Sequence, residues 1–178
     1  MTMKTPLTSV SPEFDRLKNI QEIRLHEDLL KFVEEAYLSL QSSGKFKRRD
    51  RFKRSLLHYA AMGDCTNLLL YLLQAKPKID SRDRHGRTPL SWAAEYGSLA
   101  VVKILLDRGA NINALDYEDC TPLTCIKNAG LSESKKVAAT ECYLKEKGAR
   151  EAKLGGVKRA WVWVLTYSRL LAYIRPDI

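Results

Sequence analysis

One pattern constrains this chain more than any other. It comprises Asp83, Gly86, Thr88-Pro89-Leu90, Ala93-Ala94, Gly97, Leu105-Leu106 and Gly109-Ala110, and it recurs in outline 33 positions earlier and 33 positions later. Thr88 suits the residue before a helix, because its hydroxyl accepts one of the backbone N–H groups that a first turn leaves unpaired. Pro89 then occupies the first helical position, where its missing N–H costs nothing. Gly97 ends that helix by tolerating a left-handed backbone. A second apolar helix, Leu99 to about Arg108, stops at Gly109. A helix–turn–helix unit of this length cannot bury its own apolar face, so it must stack on neighbours of its kind.

The middle copy, Asp83 to Leu115, resembles the ankyrin repeat nearly throughout, and the resemblance extends over residues 50–150. The upstream copy, residues 50–82, keeps Leu57-His58-Tyr59-Ala60-Ala61 and Leu72-Leu73 but has Ser55-Leu56 in place of Thr-Pro. Its Gly63 falls one place early, with Asp64 in the usual glycine slot, which predicts a distorted turn. The downstream copy, residues 116–150, opens with Asp116, Thr121-Pro122-Leu123 and Gly130, and carries Asp119 where Gly86 stands. It then takes about five extra residues, placed in Ser132 to Val137, before Tyr143-Leu144 and Gly148-Ala149; these lengthen its second helix or the turn before it. The implied fold is all-α: an ankyrin-type helical repeat solenoid of about three repeats, with an N-terminal helical cap and an irregular or helical C-terminal tail.

The array's flanks follow from burial. Residues 1–10 read as a disordered N-terminus. From Ser11-Pro12 to residue 44, apolar residues at Phe14, Leu17, Ile20, Leu25, Leu29, Phe32, Val33, Ala36, Tyr37 and Leu40 fall at near-helical spacing. A slip near Leu25 predicts two helices. They read as a cap over the first repeat, with a dimerisation helix as the rival. Residues 151–178 form an apolar tail in which Trp161, Val162, Trp163, Val164, Leu165, Tyr167, Leu170, Leu171, Tyr173 and Ile174 leave no polar face. Such a segment is buried or adhesive. It closes the stack, docks on a membrane surface, stays partly unfolded, or marks the remnant of a longer array; the sequence leaves all four open.

Other readings are mostly exclusions. No run reaches the roughly 18–20 apolar residues of a membrane-spanning helix, and the amino terminus lacks the apolar stretch of a secretory signal. A cytoplasmic or nuclear protein is therefore expected. Cys65, Cys120, Cys125 and Cys142 include no C-x-x-C pair, so they read as reduced and structural, with no metal and no cofactor expected. His58 sits where the ankyrin resemblance implies a structural histidine, His26 lies on a charged helix, and His85 belongs to a hairpin tip. No nucleophile elbow, zinc-protease pair, phosphate loop or dinucleotide fingerprint is present, which argues against an enzyme.

Residues 45–54 form a basic junction of seven cations (Lys45, Lys47, Arg48, Arg49, Arg51, Lys53, Arg54) and one acid, a net +6 of the chain's +9. It reads as a solvated linker, as a nuclear-import-like patch, or as a contact for an acidic protein, nucleic acid or anionic lipid. Phe46 and Phe52 offer stacking surfaces for bases, but two aromatics among cations are a weak signal. The ankyrin resemblance implies a concave partner-binding side made by hairpin tips and first-helix positions. By motif these are Arg51, Phe52, Arg54 and Met62; Arg82, Arg84, His85, Arg87, Glu95 and Tyr96; and Leu115, Tyr117, Glu118, Cys120 and Asn128. Arginines dominate the first two units, which predicts a protein partner that is acidic there and apolar or polar opposite the third. The leading expectation is thus a non-catalytic protein-interaction module, an adaptor or regulatory protein. The alternative is an anion-directed binder, a nuclear adaptor or peripheral membrane protein working through residues 45–54.

Overall fold

The structure, a computed structural model, describes residues 7–24, 26–128 and 134–152. Three helical pairs follow one another along the chain: α4 (Leu56–Met62) with α5 (Thr66–Leu73), α6 (Pro89–Glu95) with α7 (Leu99–Asp107), and α8 (Pro122–Asn128) with α9 (Lys135–Glu146). The short first helices form an inner layer, where α6 packs between α4 and α8, and α5, α7 and α9 form an outer one. Among the described residues there is no strand.

The short inner helices are almost completely enclosed. Every residue of α4 is buried, as are Pro89 to Ala94 of α6. Ala60-Ala61 and Ala93-Ala94 are fully enclosed, since only small side chains allow inner helices to approach closely. Leu57, Leu90 and Leu123 recur at the same register and are buried in each unit, at roughly 1.5–3 kcal/mol apiece. Thr88 caps α6 by accepting the Ser91 N–H at 3.3 Å, with Pro89 in the first turn.

In the first unit Ser55 replaces that threonine and His58 completes the cap. The Ser55 N–H donates to His58 Nδ1 at 3.1 Å, and the Ser55 hydroxyl lies 2.9 Å from the same nitrogen. The turn that follows is not distorted. Asp64 itself takes the left-handed backbone (φ 51°) that Gly97 takes in the second unit (φ 69°). The closing bonds are then alike, Cys65 N–H to Ala60 C=O and Ser98 N–H to Ala93 C=O, both at 2.9 Å. The short side chain of Asp64 tolerates that backbone, and its Oδ1 faces the Val101 N–H of the next unit at 3.4 Å.

Ahead of the array lie α1 (Ser11–Lys18), α2 (Gln21–Arg24) and α3 (Glu27–Ser43), three helices where two were expected; the slip near Leu25 corresponds to the break before α3. Leu29, Phe32, Val33, Ala36 and Leu40 make the buried stripe of α3, and Phe32 reaches Tyr59 of α4 with ring centroids 5.6 Å apart. Residues 7–10, expected to be disordered, are ordered: Leu7–Ser9 form a 3-10 turn, and Val10 is buried because α1 seats it against the array. Helix α9 has 12 residues against nine in α7, so the insertion lengthens the outer helix, and its first turn packs directly on Gly97. Residues 132–133 of the insertion, residues 129–131 with Gly130, residues 1–6 and the apolar tail from 153 onward lie outside the described residues.

Candidate protein-interaction surface

Each unit is entered through a hairpin built on one aspartate. Oδ1 of Asp50 accepts the N–H groups of Phe52 (2.9 Å) and Arg54 (2.7 Å), Asp83 those of His85 (2.8 Å) and Arg87 (2.9 Å), and Asp116 those of Glu118 (2.9 Å) and Cys120 (2.8 Å). The tip residue at the same register has positive φ in all three: Lys53 (58°), Gly86 (78°) and Asp119 (58°). The second carboxylate oxygen ties hairpin to helix, receiving the Tyr59 hydroxyl at Asp50 and the Trp92 indole N–H, at 3.0 Å, at Asp83. Neighbouring tips are joined through their backbones, Arg84 N–H to Phe52 C=O (2.7 Å) and Tyr117 N–H to His85 C=O (3.0 Å). The row of tips is therefore cross-linked through its own backbone.

Arginines divide into three groups by what they touch. Arg49 and Arg82, 33 positions apart, are clasps. Arg49 Nη1 donates to the carbonyls of Lys53 (2.8 Å) and Arg82 (2.9 Å), and Arg82 Nη1 to those of Gly86 (3.0 Å) and Leu115 (2.6 Å). Arg54 and Arg87 are interior. The Arg54 guanidinium, 4% exposed, lies 4.7 Å from the Phe52 ring centroid and 4.5 Å from that of Trp92. Arg87 lies over Trp92 and pairs with Glu95, whose side chain is 20% exposed. Burial alone would lower the Arg87 pKa, but the carboxylate of Glu95 reverses the sign and holds it raised.

The third group is presented to solvent, and it is smaller than the motif suggested. Arg84 and His85 are exposed on the second tip. Tyr117 on the third tip is 68% exposed, with its ring resting against Gly86, where a Cβ would come within 2.7 Å of it. Leu115 (45% exposed) and Glu118 complete that end. Arg51 is exposed but paired with Asp28 of α3 at 3.2 Å, and half-buried Phe52 lies beneath it. Tyr96 is half-buried beside Trp92, and exposed Asn128 points its amide at the Cys120 thiol, 3.5 Å away. Arg54, Arg87, Glu95, Met62 and Cys120 were expected on the concave side and are instead buried or nearly so, because the inner helices approach closely enough to enclose that register.

The basic junction is also largely engaged from within. Arg48 pairs with Glu35, Arg51 with Asp28, and Arg49 clasps carbonyls, all three still exposed to solvent, while Arg54 is enclosed; Lys45, Lys47 and Lys53 are exposed with no ion pair among the described residues. Sequence reasoning overlooked the aspartates and Trp92 as the frame of the site. Their one signal was the aspartate recurring at positions 50, 83 and 116.

A family model described as ankyrin repeats, three copies, matches residues 26–116. The chain belongs to the ankyrin repeat family. The match takes in α3, read from the sequence as a cap, and ends at Asp116, so α8 and α9 continue the ankyrin architecture beyond it. No curated protein matches the chain. Ankyrin repeats are generally protein–protein interaction modules and typically non-catalytic. Among the described residues, no helix is long and apolar enough to cross a membrane.

Proposed function

We propose that this ankyrin protein is a non-catalytic adaptor or regulatory subunit that receives a partner protein along its second and third hairpin tips. The docking segment of that partner is acidic opposite Arg84 and apolar opposite Tyr117 and Leu115. The seating of Tyr117 on Gly86, the tip residue two positions after exposed Arg84, which no described carboxylate pairs, carries this reading. An exposed aromatic ring held in one place and an adjacent unpaired guanidinium are the side-chain types that dominate interface energetics. The backbones that carry both are tied by hydrogen bonds between tips, so little backbone ordering entropy is lost on binding. Arg84 also adds long-range attraction for an acidic segment, which weakens as salt screens it.

The test is affinity capture by the full chain, identified by mass spectrometry and repeated with Arg84→Glu, Tyr117→Ala and, as an outer-face control, Lys103→Glu. A protein recovered by the wild type and by Lys103→Glu, yet lost with both tip variants and with rising salt, supports the reading. Recovery of the same proteins by all four chains removes it.

A further inference from the structure

Helix α6 has an inner helix on each flank, α4 and α8, whereas among the described helices α8 has such a neighbour only on the α6 side. Even so, α8 is enclosed like an interior helix. Thr121, Thr124 and Cys125 are 3%, 6% and 6% exposed, and Leu123 and Ile126 are buried. The register shows which side chain faces outward along the array. His58 lies by the backbones of Ser81, at the end of its own unit, and of Arg87 in the following one, so Thr124, two periods later, faces the flank that the chain leaving the third unit and a further unit would cover.

The chain itself begins to cover that flank. After α9, the Arg150 N–H donates to Asn113 Oδ1 at 2.7 Å, as the Asn111 N–H does to Asp80 one unit earlier. Thr121 Oγ1 then donates to the Arg150 carbonyl at 2.7 Å, and the Ala152 N–H donates to Thr124 Oγ1 at 3.0 Å. Lys127 pairs with Glu151 at 2.6 Å. These bonds draw residues 150–152 across the far side of α8. On α9, by contrast, Ala138 and Cys142 stay exposed, so the cover belongs to the inner layer.

We propose that residues 153–178 occupy this distal flank of α8 and terminate the repeat array. The segment starts at the flank and carries Trp161, Trp163, Leu165, Leu170 and Leu171, enough apolar surface to exclude water from one helix face. An array end needs such a cover to remain dispersed. The tail is then a closing element, and the binding surface stays with the hairpin tips.

Limited trypsin digestion of the full chain tests this, read at the bonds after Lys153, Lys158, Arg159 and Arg169. Proteolysis follows the population of the open form, so a seated tail resists cleavage, independently of protein concentration. Thr124→Lys, which places a charge on the flank, speeds cleavage after Lys158 and Arg159 by about tenfold or more while circular dichroism stays helical. Truncation after Ala152 produces self-association by light scattering, through the uncovered flank. Cleavage of the wild-type tail as fast as a free peptide of its sequence, with residues 50–150 intact, overturns the proposal. Protection that rises with concentration overturns it too, by assigning the flank to a second copy. So does protection lost on adding phosphatidylserine vesicles that bind wild type and Thr124→Lys equally. If Thr124→Lys unfolds, the wild-type digestion decides alone.

Discussion

The guanidinium of Arg87 lies over the indole of Trp92, its central carbon 3.9 Å from the ring centroid. Arg54, from the preceding unit, approaches the same ring to 4.5 Å. One aromatic side chain thus receives cations from two successive hairpins while donating its own N–H to Asp83. Two arginines that sequence position marks as partner contacts, Arg54 and Arg87, are joints between units, whereas Arg84, three positions before Arg87, is exposed on the tip.

The distinction is measurable as stability. Arg87→Ala leaves Glu95 without its ion-pair partner at an 80%-covered site and removes the cation from Trp92. It should cost about 2–4 kcal/mol in urea unfolding. Arg84→Ala, exposed and away from these contacts, should stay within about 0.5 kcal/mol. Equal losses would mean that the two arginines share a role and that the assignment is wrong.

Much of this fold was legible because its determinants are local and periodic. Thr88, Pro89 and Gly97 each act through backbone geometry within a turn or two, and each does so in the structure as its chemistry requires. The binding surface was less legible because burial at a repeat interface is set by neighbours 33 residues away. Arg54 and Arg84 both read as cations near a hairpin tip; only the packing of Phe52 and Trp92 separates them. Asp64 shows the same limit in reverse. A missing glycine predicted a distorted turn, yet the aspartate adopted the glycine's backbone and the turn kept its hydrogen bond.

The tip register offers a test of opposite signs. Lys53 holds φ at 58°, where a Cβ is strained, so Lys53→Gly should stabilise by a few tenths to about 1 kcal/mol despite glycine's greater unfolded-state freedom. Gly86 has φ 78° with the Tyr117 ring against it, so Gly86→Ala should destabilise by about 1–3 kcal/mol and dislodge that ring. Thermal unfolding of the two variants checks the signs, and a stabilising Gly86→Ala would contradict the geometry.

His58 sets a pH dependence. Its ring is fully buried and its pKa is pulled down to about 4, first by burial and also by Arg49, against the opposing influence of Asp83 and nearby carbonyls. The unfolded chain binds this proton near pH 6.5, the folded chain only near 4, so stability is full above about 6.5 and declines as pH falls between those values. The loss reaches about 3 kcal/mol at most. His58→Gln keeps an acceptor for the Ser55 N–H, as a capping box allows, and does not titrate. Stability measured from pH 7 to 4 should therefore fall less steeply in the variant, and parallel curves would assign the acid sensitivity to carboxylates instead.

Glu13 on α1 performs for α5 what Cys65, at the capping position, does not. Its Oε1 accepts the Asn67 N–H at 3.1 Å and its Oε2 the Leu68 N–H at 2.6 Å, in a site almost closed to solvent. A carboxylate at a helix start is favoured by the unpaired N–H groups and by the helix dipole. Glu13→Ala strips both amides of their acceptor and should cost about 2 kcal/mol, whereas Glu13→Gln keeps one oxygen and should cost about 1. Hydrogen exchange locates the effect: the Asn67 and Leu68 amides should lose protection first in Glu13→Ala, followed by α1 itself, because the same side chain fastens α1 to the array. Unchanged protection at these two amides would show that α1 is held by its other contacts, Leu17 against Gly63 and Arg16 Nη1 donating to the Asp64 carbonyl at 3.1 Å, independently of the carboxylate.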